Sequence, residues 1–230
     1  MNINIKKETL ENPLSQIIGV VEKRQTLPIL GNVFISFNEG ELTLVGSDLE
    51  TEITTRMSDI SGTNGRTTVS ARKLYDICRS LANESMLNME VEQDNKMVVK
   101  AGKSRFTLQT LSADDYPRLE ETQWKNEFFL SQKELYSLLT KTSFSMAQQD
   151  VRYFLNGLLL EIHDDHIVSV ATDGHRLAKT KIDVSSLGVD SVQSIIPRKA
   201  VLEIGKFLDS NSEDQVKVRI RIKAYQVVTL

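Results

Sequence analysis

The chain repeats itself. At an offset of 125 residues, Glu8–Leu14 aligns with Lys133–Leu139, Leu30–Ile35 with Leu155–Leu160, and Leu44–Leu49 with Ser169–Gly174, which puts Leu10 on Leu135 and Asp48 on Asp173. Further along, Thr68–Lys73 aligns with Ser194–Lys199, the offset having grown to 126, as one residue inserted in a loop would do. A period this long is a domain, not a solenoid unit. One module is therefore written twice, and 230 residues leave each copy enough chain for its own core.

Each copy opens on an amphipathic helix. Leu10, Leu14, Ile17, Ile18 and Val21 have helical spacing in 7–21, as do Leu135, Leu138, Leu139 and Thr142 in 131–146. A hairpin follows, with Val33–Phe37 and Leu42–Val45 around Asn38–Glu41, and its counterpart turns at His163–His166. Third strands are expected at 51–57 and 176–182, then a strand and a second helix at 71–81 and 197–208. Short strands at 87–91, 97–100 and 105–108 complete the first copy. The fold class is α+β: tandem domains, each of antiparallel strands backed by two helices on one face. Residues 112–127, charged and holding Pro117, suit an interdomain linker, which gives domains over 1–120 and 128–230.

Forty per cent hydrophobic and 26 per cent charged residues make the mix of a soluble globular protein, and no apolar run reaches the roughly 20 residues of a membrane span. The start, Met1–Lys7, lacks the apolar core of a signal peptide, so a cytoplasmic protein with no membrane partner is expected. The one cysteine, Cys78, falls at an apolar helical position and reads as a buried structural thiol.

The segment Ala171–Ala178 gathers Asp173, Gly174, His175 and Arg176 directly after a strand. Asp173, His175 and His166 could serve a metal-dependent hydrolase, but their spacing matches no ligand signature, and His163 to His166 coincide with a hairpin turn. No nucleophile elbow and no phosphate-cradling glycine loop is present. No catalytic residue, metal or cofactor is expected. A net charge of −3 argues against a protein that coats nucleic acid, yet basic residues cluster locally. Arg72-Lys73 and Arg198-Lys199 open the second helix of both copies. They are either solvated charges or two equivalent contacts to a DNA backbone, of the kind that ignores base sequence.

Thr26–Asn32, Ser145–Gly157, Ala171–Ala178 and Pro197–Lys199 closely resemble signatures of the bacterial DNA polymerase III beta subunit family, the sliding clamps, in order and spacing over residues 1 to about 220. The resemblance implies clamp-type domains in a ring-shaped homodimer of three-domain subunits, with helices lining a hole around duplex DNA. It implies no reaction, but an accessory subunit that keeps a DNA-directed DNA polymerase at high effective concentration near the primer end. Carried over by position, Arg24, Arg72, Gln149, Tyr153 and Phe154 would contact DNA, with Phe154 standing where the family often has a second tyrosine. Leu155, Thr172, Gly174, His175, Arg176 and Leu177 would form part of an apolar pocket. That pocket would take short peptide motifs of the polymerase III alpha subunit, the clamp loader, other polymerases and repair proteins. Lys73, Ile77, Leu81, Arg105, Phe106 and Leu108 would face the neighbouring subunit.

Against that pattern the chain stops at residue 230, so the third domain is expected to be absent and the second to lack its closing strands. Val216–Ile220 fits the family pattern and Arg221–Leu230 does not continue it. Weaker peptide binding and no ordinary two-subunit ring are expected. An alternative is a fragment that forms no ring but engages the clamp loader or intact clamps and interferes with them.

Overall fold

The computed structural model describes residues 1–21, 27–92, 94–118, 126–208 and 217–222. The chain divides into two compact units, Met1–Leu119 and Glu120–Leu230.

In the first unit, β1 (Asn2–Lys6) runs directly into α1 (Lys7–Ile18). Then come β2 (Asn32–Asn38), β3 (Glu41–Ser47), β4 (Glu52–Met57), β5 (Ser61–Thr63) and β6 (Gly65–Ser70). The second helix, α2 (Ala71–Ser80), is followed by β7 (Met86–Glu92), β8 (Lys96–Ala101) and β9 (Ser104–Leu111). The strands form one sheet in the order β4-β3-β2-β6-β9-β8-β7-β1-β5, and adjacent strands run antiparallel. Leu10, Leu14 and Ile17 of α1 and Leu74 and Cys78 of α2 bury against Ile3, Ile5, Val33, Ile35, Leu42 and Leu44 of the strands. Strand alternation points those side chains to one face, so both helices cover the same side of the sheet. Burial pushes the Cys78 thiol up to about 12, which leaves it un-ionised and a poor nucleophile.

Phe34, between Val33 and Ile35, points to the opposite face and meets Tyr116, whose ring centroid lies 5.7 Å away. The Tyr116 hydroxyl accepts a hydrogen bond from Ser47 N at 3.1 Å, and burial raises the phenol to about 12. Ser112 Oγ accepts from Asp114 N at 3.2 Å to start a 3-10 turn, Ala113–Asp115. Arg118 sets its guanidinium on Glu52 at 3.2 and 3.3 Å. The segment 112–118, expected as linker, is therefore tied to the first unit by a buried aromatic ring and by the Arg118–Glu52 and Arg66–Asp114 ion pairs. Residues 119–125 lie outside the described residues.

The second unit runs β10 (Asn126–Ser131), α3 (Gln132–Thr140), β11 (Gly157–Ile162), β12 (His166–Thr172), β13 (Leu177–Asp183), β14 (Val192–Pro197), α4 (Arg198–Phe207) and β15 (Lys217–Ile222). A sheet of order β13-β12-β11-β14 accompanies the pair β10-β15. A capping box starts α3: Ser131 Oγ accepts from Glu134 N at 3.2 Å, and Ser131 N donates to Glu134 Oε2 at 2.8 Å. The helix ends at Thr140, short of the expected 146. Buried Thr142 turns its hydroxyl onto Leu138 O at 2.9 Å and Ser169 Oγ at 2.8 Å, and a 3-10 turn, Ser143–Ser145, takes over. Leu135, Leu138, Leu139 and Val201 from the two helices pack on Leu158, Leu160, Ile162 and Ile167 from the sheet. Strand β15 pairs with β10 from Ser131↔Lys217 to Asn126↔Ile222, so the strand expected to end at Ile220 continues for two more residues. Residues 223–230 lie outside the described residues.

The repeat holds down to individual hydrogen bonds. Asp48 Oδ1 accepts from Glu50 N at 3.0 Å and Thr51 N at 2.7 Å, while Asp173 Oδ1 accepts from His175 N and Arg176 N, both at 3.0 Å. Both are Asx-type turns with the next residue at positive φ, Leu49 at 77° and Gly174 at 87°. Likewise Arg72 Nη2 donates to Val21 O at 3.2 Å and Arg198 Nη1 to Met146 O at 3.2 Å. In each copy the arginine that opens the second helix fastens the chain that leaves the first.

Candidate functional site

The site is built from two segments of the second unit. The first is the loop between the 3-10 turn and β11. Ala147 N donates to Leu155 O at 3.0 Å and closes it, and Arg198 holds both of its ends, with Nη1 on Met146 O and its main-chain N on Asn156 O at 2.9 Å. Inside the loop the Asn156 amide clips Asp150 twice, accepting from Asp150 N at 2.9 Å and donating to Asp150 O at 2.8 Å. Arg152 lays a fork on the Asp150 carboxylate, Nε to Oδ1 and Nη2 to Oδ2, both at 3.0 Å, while Arg152 N donates to Oδ1 at 2.8 Å. With main chain and charges satisfied internally, the loop presents Val151, Tyr153 and Phe154 outward at 91, 84 and 57 per cent exposure. Gln149 is exposed as well and adopts φ 59°, and Leu155 is buried beneath.

The second segment is the turn from β12 to β13. Thr172 Oγ1 donates to Arg176 O at 2.7 Å and accepts from Gly174 N at 3.1 Å, and Arg176 Nε reaches Asp173 Oδ2 at 2.9 Å. Leu177 follows at 64 per cent exposure. One contact ties the turn to Phe144, in the 3-10 turn just before the loop, and another joins the turn to the loop itself. The Arg176 guanidinium lies 5.9 Å from the centroid of the Phe144 ring, which is itself 59 per cent exposed. The Arg152 guanidinium lies against Gly174, so close that a Cβ there would sit 3.3 Å from Nη2. The exposed apolar residues Val151, Tyr153 and Phe154 of the loop and Leu177 of the turn therefore sit on segments joined by Arg152, with exposed Phe144 against Arg176. Exposed apolar side chains gathered in this way mark a docking surface.

The carboxylates are set by this geometry. The Arg152 side chain, and then its main-chain N–H, hold Asp150 down to about 2, and the His175 and Arg176 N–H groups hold Asp173 down to about 2. Because both values are depressed in the folded state, the stabilisation is present above the ordinary value of 3.8 and is lost as pH falls through about 2. In an amide NMR titration, the His175 and Arg152 N–H signals should hold steady through the neutral range and move with a midpoint near 2; a midpoint at or above 3.8 would contradict this geometry.

Of the residues singled out from the sequence, Gln149, Tyr153, Phe154, Leu155, Thr172, Gly174, His175, Arg176, Leu177 and Arg198 come together here. Arg72 stands at the start of α2 in the first unit, half-buried, and Lys199 is half-buried beside Arg198. Arg24 lies outside the described residues. On α2, exposed Lys73 and half-buried Ile77 lie one turn apart, and half-buried Leu81 follows the helix as its extended C-cap. Arg105 pairs with Glu92 at 3.7 Å, and Phe106 is half-buried. Leu108 lies on the same face of β9 as Phe106, two residues along, and is 6 per cent exposed at the edge of the first unit's core. Asp150, Arg152, Asn156 and Phe144 were not assigned a role from sequence, although Asp150, Val151 and Arg152 sit within a quoted signature. The metal-hydrolase set does not assemble, since His166 and Asp173 flank β12 and roughly 20 Å of extended chain parts them. Among the described residues no group of three His, Cys, Asp or Glu could hold a metal, and no helix is long and apolar enough to cross a membrane.

Two copies of a helix-backed antiparallel module define a chain of tandem clamp-type domains. The model of the DNA polymerase III beta subunit N-terminal domain matches residues 1–120, and that of its central domain matches residues 129–229, so the chain belongs to the DNA polymerase III beta subunit family. The second match runs through the segment where the sequence pattern was expected to fail. The chain is 47% identical over 209 residues to the beta sliding clamp of Pseudomonas aeruginosa, covering 90% of this chain and 57% of that protein. It is 41% identical over 221 residues to that of Escherichia coli, covering 96% and 60%. A crystal structure of the P. aeruginosa sliding clamp bound to griselimycin superposes with a TM-score of 0.89 at 46% identity, covering 96% of this chain and 59% of that one. The chain thus spans 57 to 60% of the length of the curated relatives named here.

Proposed function

We propose that this chain is a DNA sliding-clamp polypeptide, non-catalytic and cytoplasmic, which tethers a replicative DNA polymerase to duplex DNA. Its first clamp domain spans 1–120 and its second 128–230. The second-unit cluster captures short apolar peptide segments of replication and repair proteins: the polymerase III alpha subunit, the clamp loader and other polymerases. The observation that carries this reading is the meeting of the loop at 147–156 with the turn at 172–177, which leaves Phe144, Val151, Tyr153, Phe154 and Leu177 exposed together. A relative, the sliding clamp of Pseudomonas aeruginosa, binds griselimycin, which makes that compound a probe for the same capacity here. On the same reading Arg24, Arg72, Gln149, Tyr153, Phe154, Arg198 and Lys199 contact the DNA backbone, and Lys73, Ile77, Leu81, Arg105, Phe106 and Leu108 face a neighbouring subunit.

Calorimetric titration of the 230-residue chain with griselimycin tests the docking role. Saturable binding, displaced by a peptide ending in a polymerase clamp-binding motif, is the expected result. No heat at concentrations that saturate an intact relative would overturn it.

A further inference from the structure

We propose that Asp150 is a positioning residue for the docking cluster: by fixing the Arg152 guanidinium against Gly174, it sets how the loop at 147–156 and the turn at 172–177 lie relative to each other. This rests on the docking role proposed above.

The two internal copies supply a control. The turns at Asp48 and Asp173 have the same hydrogen bonds and nearly the same φ after the aspartate, 77° at Leu49 and 87° at Gly174. Even the next bond repeats, with Leu49 N on Ser47 Oγ at 3.1 Å and Gly174 N on Thr172 Oγ1 at 3.1 Å. The first turn accepts a leucine in the left-handed region, so that conformation alone does not demand glycine at 174. What differs is the neighbour. In the second unit a Cβ at 174 would lie 3.3 Å from Arg152 Nη2 and 3.6 Å from Nη1, and glycine leaves that space to the guanidinium. The position equivalent to Arg152 in the first unit is Leu27, which carries no charge to place.

A long arginine side chain has many rotamers, and a two-bond fork from Nε and Nη2 to one carboxylate removes most of them, while the Arg152 main-chain N–H anchors the same carboxylate. Asp150 is held in turn by both groups of the Asn156 amide, and Asn156 O by Arg198 N, which leads back to α4. The chain of contacts α4–Asn156–Asp150–Arg152–Gly174 therefore links a helix to the turn that carries Leu177. The pair is partly solvated, with the Arg152 side chain 54 per cent and the Asp150 side chain 21 per cent exposed, so water screens it and it adds little to folding stability. Its effect lies in preorganising the surface that an apolar ligand must meet.

The test is Asp150→Asn, which keeps the shape and removes the charge, with griselimycin as the probe. Its affinity should fall about fivefold, the most that an exposed ion pair of this kind carries, with an unchanged melting temperature. Raising salt should weaken binding to the parent chain and leave the variant indifferent, because only the parent has a pair to screen. Arg152→Gln should reproduce the loss, and the double variant should add nothing to it. Parent-like affinity and salt response in Asp150→Asn would overturn the proposal. If griselimycin ignores the parent chain, the docking role fails instead, and hydrogen exchange decides on the positioning. Faster exchange of the His175 and Arg176 amides in Asp150→Asn upholds it, and unchanged exchange overturns it.

Discussion

Replacing Gly157 by alanine should cost the second unit about 2 kcal/mol and loosen the docking loop with it. A Cβ at this position would lie 2.7 Å from Ile196 O and 2.8 Å from Ile195 Cγ2. The side-chain methyl could move, but the carbonyl belongs to the main chain of β14, which pairs with β11 from Gly157↔Pro197 to Ile162↔Val192. Relief therefore requires the two strands to part at the end where β14 enters α4. Arg198 begins that helix and holds both ends of the loop at 147–156, so a shift there reaches Tyr153 and Phe154. Gly205→Ala serves as the control. Nothing lies within 4 Å of a Cβ at 205 and the residue is in α4, so alanine should raise stability, by up to about 1 kcal/mol. Denaturant unfolding of the two variants checks the pair, and a Gly157→Ala chain as stable as the parent would mean that the β11–β14 ladder yields more easily than its register suggests.

Features with a period or a repeat could be read from the sequence. The offset of Asp48 to Asp173 was visible, as were the helix stripes of Leu10 and Leu14 and of Leu135 and Leu139, because burial on one face imposes a pattern on side-chain types. Elements without such a pattern were missed. Ser61–Thr63 forms β5 with all three residues exposed, so it leaves no alternation to find. Asn2–Lys6 does alternate, with Ile3 and Ile5 inward, but two apolar positions in five residues are too few to mark a strand. Phe128 and Leu130 point into the core of the second unit from a strand that begins at Asn126, inside the expected linker. Within the site, the types and positions of the exposed residues could be read, but their hydrogen-bond partners could not. That Arg72 and Arg198 fasten Val21 O and Met146 O could not be read, because these are main-chain carbonyls that every residue possesses. Asp150 and Arg152 were hidden for a related reason: what Arg152 presses on is the absence of a side chain at Gly174.

Leu177→Ala should give the largest loss of binding for the least loss of stability. Leu177 begins β13 opposite Thr172, and alternation sends Ala178 inward and Leu177 outward. Truncating it opens no cavity, so the melting temperature should stay close to that of the parent, as for most surface substitutions. If the cluster takes an apolar occupant, the same leucine becomes covered on binding. Removing most of its side chain then forfeits about 1.5–2 kcal/mol of burial, or a tenfold to thirtyfold weaker grip on griselimycin. Lys179→Ala, on the same face two residues along, should leave affinity as it was. The direction of the Leu177 effect separates docking from display. An occupant seated on the cluster loses affinity in proportion to the apolar surface removed. A leucine merely exposed could be cut back with no change in affinity, and that result would move the docking surface away from β13.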